Sequence, residues 1–354
     1  MTDDLVFDLA QKSAGLHRSM PPPLGNSIAD LIRIANSYYS NLIEGHNAHP
    51  NELSHDRNKR DLQLEAKAHI EVQRWIDGGG LSAGRALRVD GIREIHRRLY
   101  ELLPAELTWA EDPDTKKRFR VAPGELRKHD LTVWGQTAVS AAALPRFLQR
   151  FEKDFGSTGK AETIVSLGAA HHRLLWIHPF PDGNARVARL MSHAVMLDVL
   201  DTGAVWSVSR GLAGNVHAYR SLLANCATLS DAIGEFQRFF LTACIGQVDF
   251  MKSLLQPDRL RARIMLWAEE EIALGRLPVN SGSLLEALLY RGEISRSETQ
   301  TVFGTGERQA RRIVSALLER GILASDKPTG PLRLVFPAAL ASQWLPGLLP
   351  EYPG

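Results

Sequence analysis

The sequence has few cysteines and little net charge. Its 354 residues include two cysteines, and their formal charge is +2. Cys226 and Cys244 lie in apolar, helix-like sequence without a C-x-x-C spacing, so we interpret both as small buried hydrophobic residues rather than disulfide partners or metal ligands. This usage is consistent with a reducing compartment. The small net charge gives no global attraction to nucleic acid or to a membrane, which leaves only local charged patches to consider.

Long apolar runs are also missing. A membrane-spanning helix needs roughly 18 apolar residues, and the longest candidates, around 190–200 and 239–248, are interrupted by polar side chains. The N-terminus reads MTDDLVFDLAQKS, which is acidic and has no apolar core of the kind that a signal peptide carries. The sequence therefore predicts a soluble, cytoplasmic protein without membrane contact.

Apolar periodicity predicts a mainly α protein that is long enough for two or three domains. Helical spacing covers 27–43, 58–77, 88–103, 141–155, 161–177, 190–200, 212–228, 230–255 and 258–275. Residues 104–136 differ, because they contain three prolines and two short strand-like pieces near 119–121 and 131–134. This composition predicts a loop that carries a β-hairpin.

The C-terminal part predicts a winged helix-turn-helix over 280–337. Helices are expected at 283–291, 295–303 and 307–320, and the turn-forming residues 326–331 separate two apolar pieces as a hairpin wing does. Gln256-Pro257 is a plausible domain boundary. We therefore predict an N-terminal helical region at 1–88, a core at 89–256 and a C-terminal domain at 257–354.

Residues 178–189, HPFPDGNARVAR, combine the parts of a phosphate site. Two prolines end the preceding helical run, and a turn of small residues then leads into the next helix. The free N–H groups at such a helix start bind anions. Arg186 and Arg189 share a helix face and suit phosphate oxygens, while Asp182 suits Mg²⁺ and His178 suits a general base. Each residue alone has an ordinary structural explanation, and their joint occurrence is what indicates phosphoryl-type transfer.

This segment resembles the signature of the Fic domain family, H-x-F-x-(D/E)-G-N-G-R-x-x-R, at every fixed position except the second glycine. The resemblance implies a Fic-type helical core that moves AMP from ATP onto a Ser, Thr or Tyr hydroxyl of a protein. By position it implies a base at His178, a loop anchor at Phe180, a Mg²⁺ ligand at Asp182, an anion hole at Gly183, Asn184 and the backbone of Ala185, and phosphate clamps at Arg186 and Arg189.

Ala185 is the departure from the signature. Glycine serves where the backbone needs a positive φ or a close approach to a ligand. If the position needs only a close approach, the methyl group is tolerated. If it needs a positive φ, alanine adds strain of roughly 1 kcal/mol or more, and activity or the choice of phosphate donor changes.

An upstream segment resembles the inhibitory motif of the same family, (S/T)-x-x-x-E-(G/N). It comprises Ser40, Glu44 and Gly45, and it also has the pattern of an ordinary helix end. The resemblance implies an inhibitory helix in which Glu44 pairs with Arg189 and withdraws that arginine from the γ-phosphate.

Two weaker resemblances concern the target and the adenosine. Residues 120–135 occupy the place of the family's β-hairpin flap, with Leu131, Thr132 and Val133 as the strand that an extended target joins. Tyr219 falls where family members often place a nucleotide-contacting tyrosine, and a core tyrosine is an equal alternative.

On the third helix of the C-terminal domain, Arg308, Arg311 and Arg312 lie on or near the face opposite the apolar stripe. In a winged helix such arginines contact phosphates or guanines, although many winged helices bind protein instead. The leading hypothesis is a protein adenylyltransferase that Glu44 inhibits. The alternatives are a DNA-binding regulator with a nucleotide-sensing core and a de-AMPylating hydrolase. Expected partners are ATP with Mg²⁺, a target protein or the chain itself, DNA through the C-terminal domain, and a second copy in a homodimer.

Overall fold

The computed structural model describes residues 2–46, 57–81, 84–111, 116, 118–133, 136–225, 232–304 and 306–350. Within these ranges the chain is mainly α, as the periodicity predicts. Cys226, Trp134 and Gly135, which the sequence interpretation used, lie outside the described residues. No helix in the described part is both long and apolar enough to cross a membrane.

Three long helices form the N-terminal part. They are α1 (Thr2–Arg18), α2 (Pro22–Ile43) and α3 (Arg57–Asp77). Helix α1 was not predicted, although it carries acidic residues in its first turn and basic residues in its last, which favour a helix through the macrodipole. Helix α2 begins with proline at its first position and ends before Gly45, whose φ of +93° no other residue type adopts as easily.

In the described residues of the central part, the chain forms seven α-helices. They are α4 (Val89–Glu101), α5 (Leu144–Phe155), α6 (Lys160–Ile177), α7 (Asn184–Val199), α8 (Val208–Ala213), α9 (Val216–Asn225) and α10 (Ala232–Leu254). The helix predicted at 212–228 is in fact two, because Asn215 interrupts it. Its side-chain oxygen accepts a 3.0 Å hydrogen bond from the Ala218 N–H and so caps α9.

Two small hairpins precede α5, where the sequence predicts one. Strand β1 (Trp109–Glu111) pairs antiparallel with β2 (Arg118–Arg120), and β3 (Thr132–Val133) pairs with β4 (Gln136–Thr137). The two predicted strand-like pieces therefore do not pair with each other. Between them the chain turns at Gly124, whose φ is +74°, and is held to the 178–189 loop by the Arg127 N–H, which donates to the Pro179 carbonyl at 2.9 Å.

The C-terminal part contains short elements around a three-stranded antiparallel sheet of order β5-β7-β6. In chain order they are α11 (Pro257–Ala273), α12 (Ser281–Arg291), β5 (Glu293–Ile294), α13 (Glu298–Phe303), α14 (Glu307–Glu319), β6 (Leu323–Ala324), β7 (Leu332–Leu334) and α15 (Ala341–Trp344). The predicted apolar stripe of α14 is buried. The winged helix-turn-helix stays a prediction, as does the ligand of this part.

Packing places the N-terminal helices directly on the central ones. Helix α1 packs along α10, and α2 packs against α3 and α8. Helices α3 and α4 both contact α7, which is the helix that carries the two arginines of the motif. The buried apolar side chains of the described residues form one continuous cluster through all three parts. The division at 88 and 256 stays a prediction.

Candidate functional site

The loop between α6 and α7 contains the first half of the motif. His178 ends α6 in the left-handed conformation, with φ +49° and ψ +61°, and its N–H donates to the Leu174 carbonyl at 3.0 Å. This conformation costs a non-glycine residue about 1 kcal/mol or more. Arg127 helps to hold it, since its Nε donates to the His178 carbonyl oxygen at 2.8 Å.

Asn184 closes the same loop with its side chain. Its Oδ1 accepts a 2.9 Å hydrogen bond from the Phe180 N–H, and its Nδ2 donates to the Phe180 carbonyl at 2.8 Å. The Phe180 ring is fully buried and stacks on His96 with ring centroids 3.9 Å apart, as the predicted loop anchor requires. The Asn184 side chain thus fixes the loop from both ends of its amide, and its backbone N–H is one of the free donors at the start of α7.

Gly183 and Ala185 differ in their backbone conformation. Gly183 has φ +78°, and a Cβ there would lie 2.8 Å from the Tyr100 ring, so only glycine fits. Ala185 lies in the first turn of α7 and has no positive φ. Of the two alternatives for Ala185, the one that invokes a positive φ therefore does not apply, and the methyl group can matter only through its closeness to a ligand.

These residues line one pocket at the N-terminus of α7. Its lining consists of Asn41, Glu44, His46, Glu65, Leu175, His178, Asp182, Gly183, Asn184, Ala185 and Arg186. The first N–H groups of α7 have no partner inside the helix, and the positive end of its dipole is at this terminus. The pocket thus combines a helix N-terminus with a histidine, a carboxylate and a guanidinium.

Asp182 and Arg186 are paired in this pocket. The Asp182 Oδ2 accepts from the Tyr100 hydroxyl at 2.5 Å and from Arg186 Nη2 at 3.2 Å. On its other side, Arg186 Nη1 lies 3.1 Å from Glu65 Oε2. Burial acts to raise the pKa of Asp182, but the charge of Arg186 and the Tyr100 hydrogen bond outweigh it and hold this pKa below its usual range. Asp182 is therefore ionised at neutral pH.

His178 is partly buried beside these charges. Burial, followed by the positive charge of Arg127, lowers the pKa of His178 to about 4. The imidazole is consequently neutral at pH 7, which is the protonation state that a proton acceptor needs.

Arg189 lies deeper than Arg186 and is held by α2. Its side chain is 1% exposed, and its Nη2 lies 2.9 Å from Glu44 Oε1. Its Nε donates to the Ser40 Oγ at 2.8 Å. Ser40 lies in the last turn of α2, and Glu44 directly follows the helix with helical backbone angles. Because the two residues are four positions apart, they face the same side. The pairing of Glu44 with Arg189 that the resemblance implies is thus present, while its inhibitory effect stays a prediction.

Glu44 lines the pocket, whereas Arg189 does not. Arg189 Nη1 is buried and has no hydrogen-bond partner within the described part of the chain. An unpaired buried donor is costly. This guanidinium therefore has spare capacity for a further acceptor if Glu44 moves away.

The remaining predicted residues lie outside this pocket. The Tyr219 ring is 2% exposed, and its hydroxyl is 2.7 Å from His171 Nε2, which favours the core alternative over a nucleotide contact. Leu131 lies in a neighbouring pocket beside Pro181, and Thr132 begins β3. Val133 pairs with Gln136 in the short hairpin. The arginines 308, 311 and 312 of α14 are exposed in another part of the molecule.

Three residues that contact the site belong to neither motif and were not predicted from the sequence. Tyr100 and Glu65 contact the motif from α4 and α3. Arg127 is 4% exposed and donates to the carbonyls of His178, His129 and Val139, so it joins the flap region to the loop of the base. An arginine after a Pro-Gly turn was a visible signal for Arg127, whereas Tyr100 and Glu65 look like ordinary helix residues.

The residues fit a metal only when a ligand completes the site. No group of three or more His, Cys, Asp or Glu side chains capable of holding an ion occurs among the described residues. The Asp182 side chain is 49% exposed and ionised, and Mg²⁺ commonly binds through one carboxylate together with substrate phosphates. Asp182 could therefore hold Mg²⁺ with a nucleotide but not alone.

Comparison with known proteins gives a family for this region. Residues 86–196 match the sequence model of the Fic/DOC family. A Drosophila ananassae protein named "Protein adenylyltransferase Fic" is 27% identical over 113 residues, which are 31% of this chain and 20% of that protein. The namesake from Drosophila virilis is 32% identical over 76 residues, or 21% of this chain and 16% of that protein. The chain thus matches only about a fifth of the length of these relatives.

Solved structures of the family are similar at a lower level. A Fic family protein from Desulfovibrio desulfuricans G20 aligns over 94% of this chain and 96% of its own, with 16% identity and a TM-score of 0.49. A Fic domain containing signaling protein from Bacteroides thetaiotaomicron aligns over 70% of this chain and 96% of its own, with 19% identity and a TM-score of 0.48.

Proposed function

The chain belongs to the Fic/DOC family through residues 86–196, and on that premise we propose that it is a protein adenylyltransferase. It moves AMP from ATP onto a Ser, Thr or Tyr hydroxyl of a protein, and Glu44 keeps its activity low. The observation that carries the proposal is the meeting of His178, Asp182 and Arg186 around one pocket at the start of α7.

Each group has a role that its surroundings support. The neutral His178 accepts the proton of the target hydroxyl as its oxygen bonds to the α-phosphorus, and pyrophosphate leaves. Asp182 holds Mg²⁺, which neutralises phosphate charge when it is bound. The N–H groups of the first turn of α7 receive phosphate oxygens.

Inhibition follows from the position of Glu44. The buried Arg189 is paired with Glu44 and does not reach the pocket, so it is withheld from the γ-phosphate. The negative charge of Glu44 also faces the place where the phosphates bind. Both effects reduce productive binding of ATP.

The test is transfer of label from α-labelled ATP with Mg²⁺. Glu44→Gly and Glu44→Gln should raise the incorporation of label by about tenfold or more. Adding His178→Ala to Glu44→Gly should lower this incorporation by about 100-fold or more. Asp30→Asn is the matched control, since Asp30 is an exposed acid of the same helix. The proposal fails if neither Glu44 variant incorporates label. Label that Glu44→Gly deposits and the wild type then removes would favour the hydrolase instead.

Exposed arginines support a second candidate function for α14. Arg308 and Arg312 face solvent on the side opposite the buried stripe, which is the arrangement of a DNA-contacting helix. Retention of the protein on mixed duplex DNA at low salt, lost in the Arg308→Ala, Arg312→Ala double variant, would support DNA binding. Equal retention of the two proteins would exclude this helix as the contact.

A further inference from the structure

Glu65 is a carboxylate of the pocket that no motif accounts for. It lies on α3, and its Oε2 is 3.1 Å from Arg186 Nη1. The two side chains are 24% and 11% exposed, so water screens their attraction only in part. Both residues also line the pocket at the start of α7.

Both Nη atoms of Arg186 already contact oxygen atoms of the protein. Nη1 is engaged by Glu65, while Nη2 donates to Asp182 and to the Tyr100 hydroxyl. A polyphosphate that approaches this guanidinium meets two carboxylates. In the proposed reaction Mg²⁺ compensates the charge of Asp182, whereas Glu65 has only Arg186 as its counter-ion. A phosphate that takes Arg186 leaves Glu65 without that partner, and the two negative charges then repel.

Arg186 and Arg189 are therefore held in the same way by different helices. Glu65 of α3 pairs with Arg186, and Glu44 of α2 pairs with Arg189. Helices α2 and α3 pack against each other, and both precede the segment that matches the family. A single displacement of this helix pair would release both arginines together.

We propose that Glu65 is a second inhibitory counter-ion, which holds Arg186 and must leave it before the β- and γ-phosphates of ATP bind. The inference rests on the proposed nucleotide site. It predicts that removal of Glu44 alone gives partial rather than full activation, because one of the two arginines is still held.

The experiment measures binding rather than transfer. Isothermal titration calorimetry with MgATP and with AMP is carried out on the wild type, Glu65→Gln and the matched control Glu71→Gln. Glu71 is an exposed acid of the same helix, paired with Arg74 outside the pocket. Glu65→Gln should bind MgATP about tenfold more tightly, the equivalent of one charge-assisted hydrogen bond. Its affinity for AMP, which lacks the β- and γ-phosphates, should change by less than about twofold.

Two further variants guard the result. Glu65→Asp replaces Glu65→Gln if that variant does not fold. It keeps the charge but withdraws it by one methylene group, so its affinity for MgATP should lie between those of the wild type and Glu65→Gln. In the double variant Glu44→Gly, Glu65→Gln, transfer should exceed that of Glu44→Gly by roughly another tenfold, because the two acids hold separate arginines.

Unchanged or weaker MgATP binding by Glu65→Gln would overturn the inference, since Glu65 would then be neutral or would orient Arg186 for the nucleotide. An equal gain for AMP would overturn it as well. Tighter MgATP binding without label transfer in any variant would leave this inference standing and refute the transferase proposal.

Discussion

Two helices of this chain begin with arginines three residues apart, yet their surroundings differ. Arg186 and Arg189 of α7 are 11% and 1% exposed and pair with carboxylates from other helices. Arg308 and Arg311 of α14 are exposed, and among the described residues the ion-pair partner of Arg311 is Glu307 of its own helix. Spacing alone therefore does not distinguish a site from a solvated face.

Burial makes the difference between the two helices. A guanidinium that is removed from water needs a compensating charge, whereas an exposed one is satisfied by solvent. The chain supplies Glu44 and Glu65 to α7 from separate helices. Because these carboxylates come from other helices, any movement of those helices away from α7 would leave its arginines without their counter-ions.

The sharpest test of this comparison replaces one arginine on each helix. In the Glu44→Gly background, Arg189→Met should lower AMP transfer by about 100-fold or more, because a charge aimed at the transition state is lost. Arg308→Ala in the same background should keep transfer within about twofold. Incorporation of labelled AMP measures both, and melting temperatures show whether each variant is folded. Similar losses of AMP transfer in both variants would show that the arginines of α7 and α14 do not differ in function.

Buried histidines offer a second test, through the free energy of unfolding. Burial lowers the pKa values of His69, His96 and His171 to about 3. Since their unfolded pKa is near 6.5, the unfolded chain binds more protons between these values, and stability is lost as the pH falls below 6.5. Between pH 7.5 and pH 5.5 each histidine should lower the free energy of unfolding by about 1.4 kcal/mol. Urea unfolding at pH 7.5, 6.5 and 5.5 measures the loss.

The C-terminal part sharpens this test, because residues 257–354 contain no histidine. The pH dependence should therefore originate in the region around α7. Replacing the exposed His129 by glutamine serves as the control and should leave the slope unchanged. Stability that is constant between pH 7.5 and pH 5.5 would contradict the prediction.

Local signals in the sequence were sufficient for most of the helices and for the motif. Period-3.6 spacing located α3 and α6 to within one residue and the C-terminal end of α2, whose start at Pro22 precedes the predicted one by five residues. The prolines after His178 explain where α6 ends. The segment that resembles the family's inhibitory motif was visible because Ser40, Glu44 and Gly45 are close together in the chain. These features depend on near neighbours, which one sequence displays directly.

Features that depend on distant partners were not visible. Glu65 looks like any polar residue of an amphipathic helix until α3 lies against α7, and Tyr100 looks like a core residue until its hydroxyl reaches Asp182. The hairpins were also misjudged. Arg127 ties the intervening chain to the motif loop, and short strands have too little pattern to define their pairing.

A smaller effect is expected at Ala185, where the family signature has glycine. Because Ala185 is in the first helical turn with no positive φ, Ala185→Gly relieves no backbone strain and weakens the helix by up to about 1 kcal/mol. Transfer in the Glu44→Gly background should change by less than about threefold. A gain of about tenfold or more would show instead that the methyl group obstructs the phosphates.

The smallest effect is expected for the pH dependence of transfer. With its pKa near 4, His178 remains neutral from pH 8 to pH 6. A histidine with the ordinary pKa of about 6.5 would lose roughly three quarters of its neutral form over this range. Initial rates of AMP transfer by Glu44→Gly, measured at saturating MgATP, should therefore fall by less than about 1.5-fold between pH 8 and pH 6. A fourfold fall would mean that His178 is solvated in the working enzyme, as the arginines of α14 are. The contrast between buried and exposed residues would then not apply to His178.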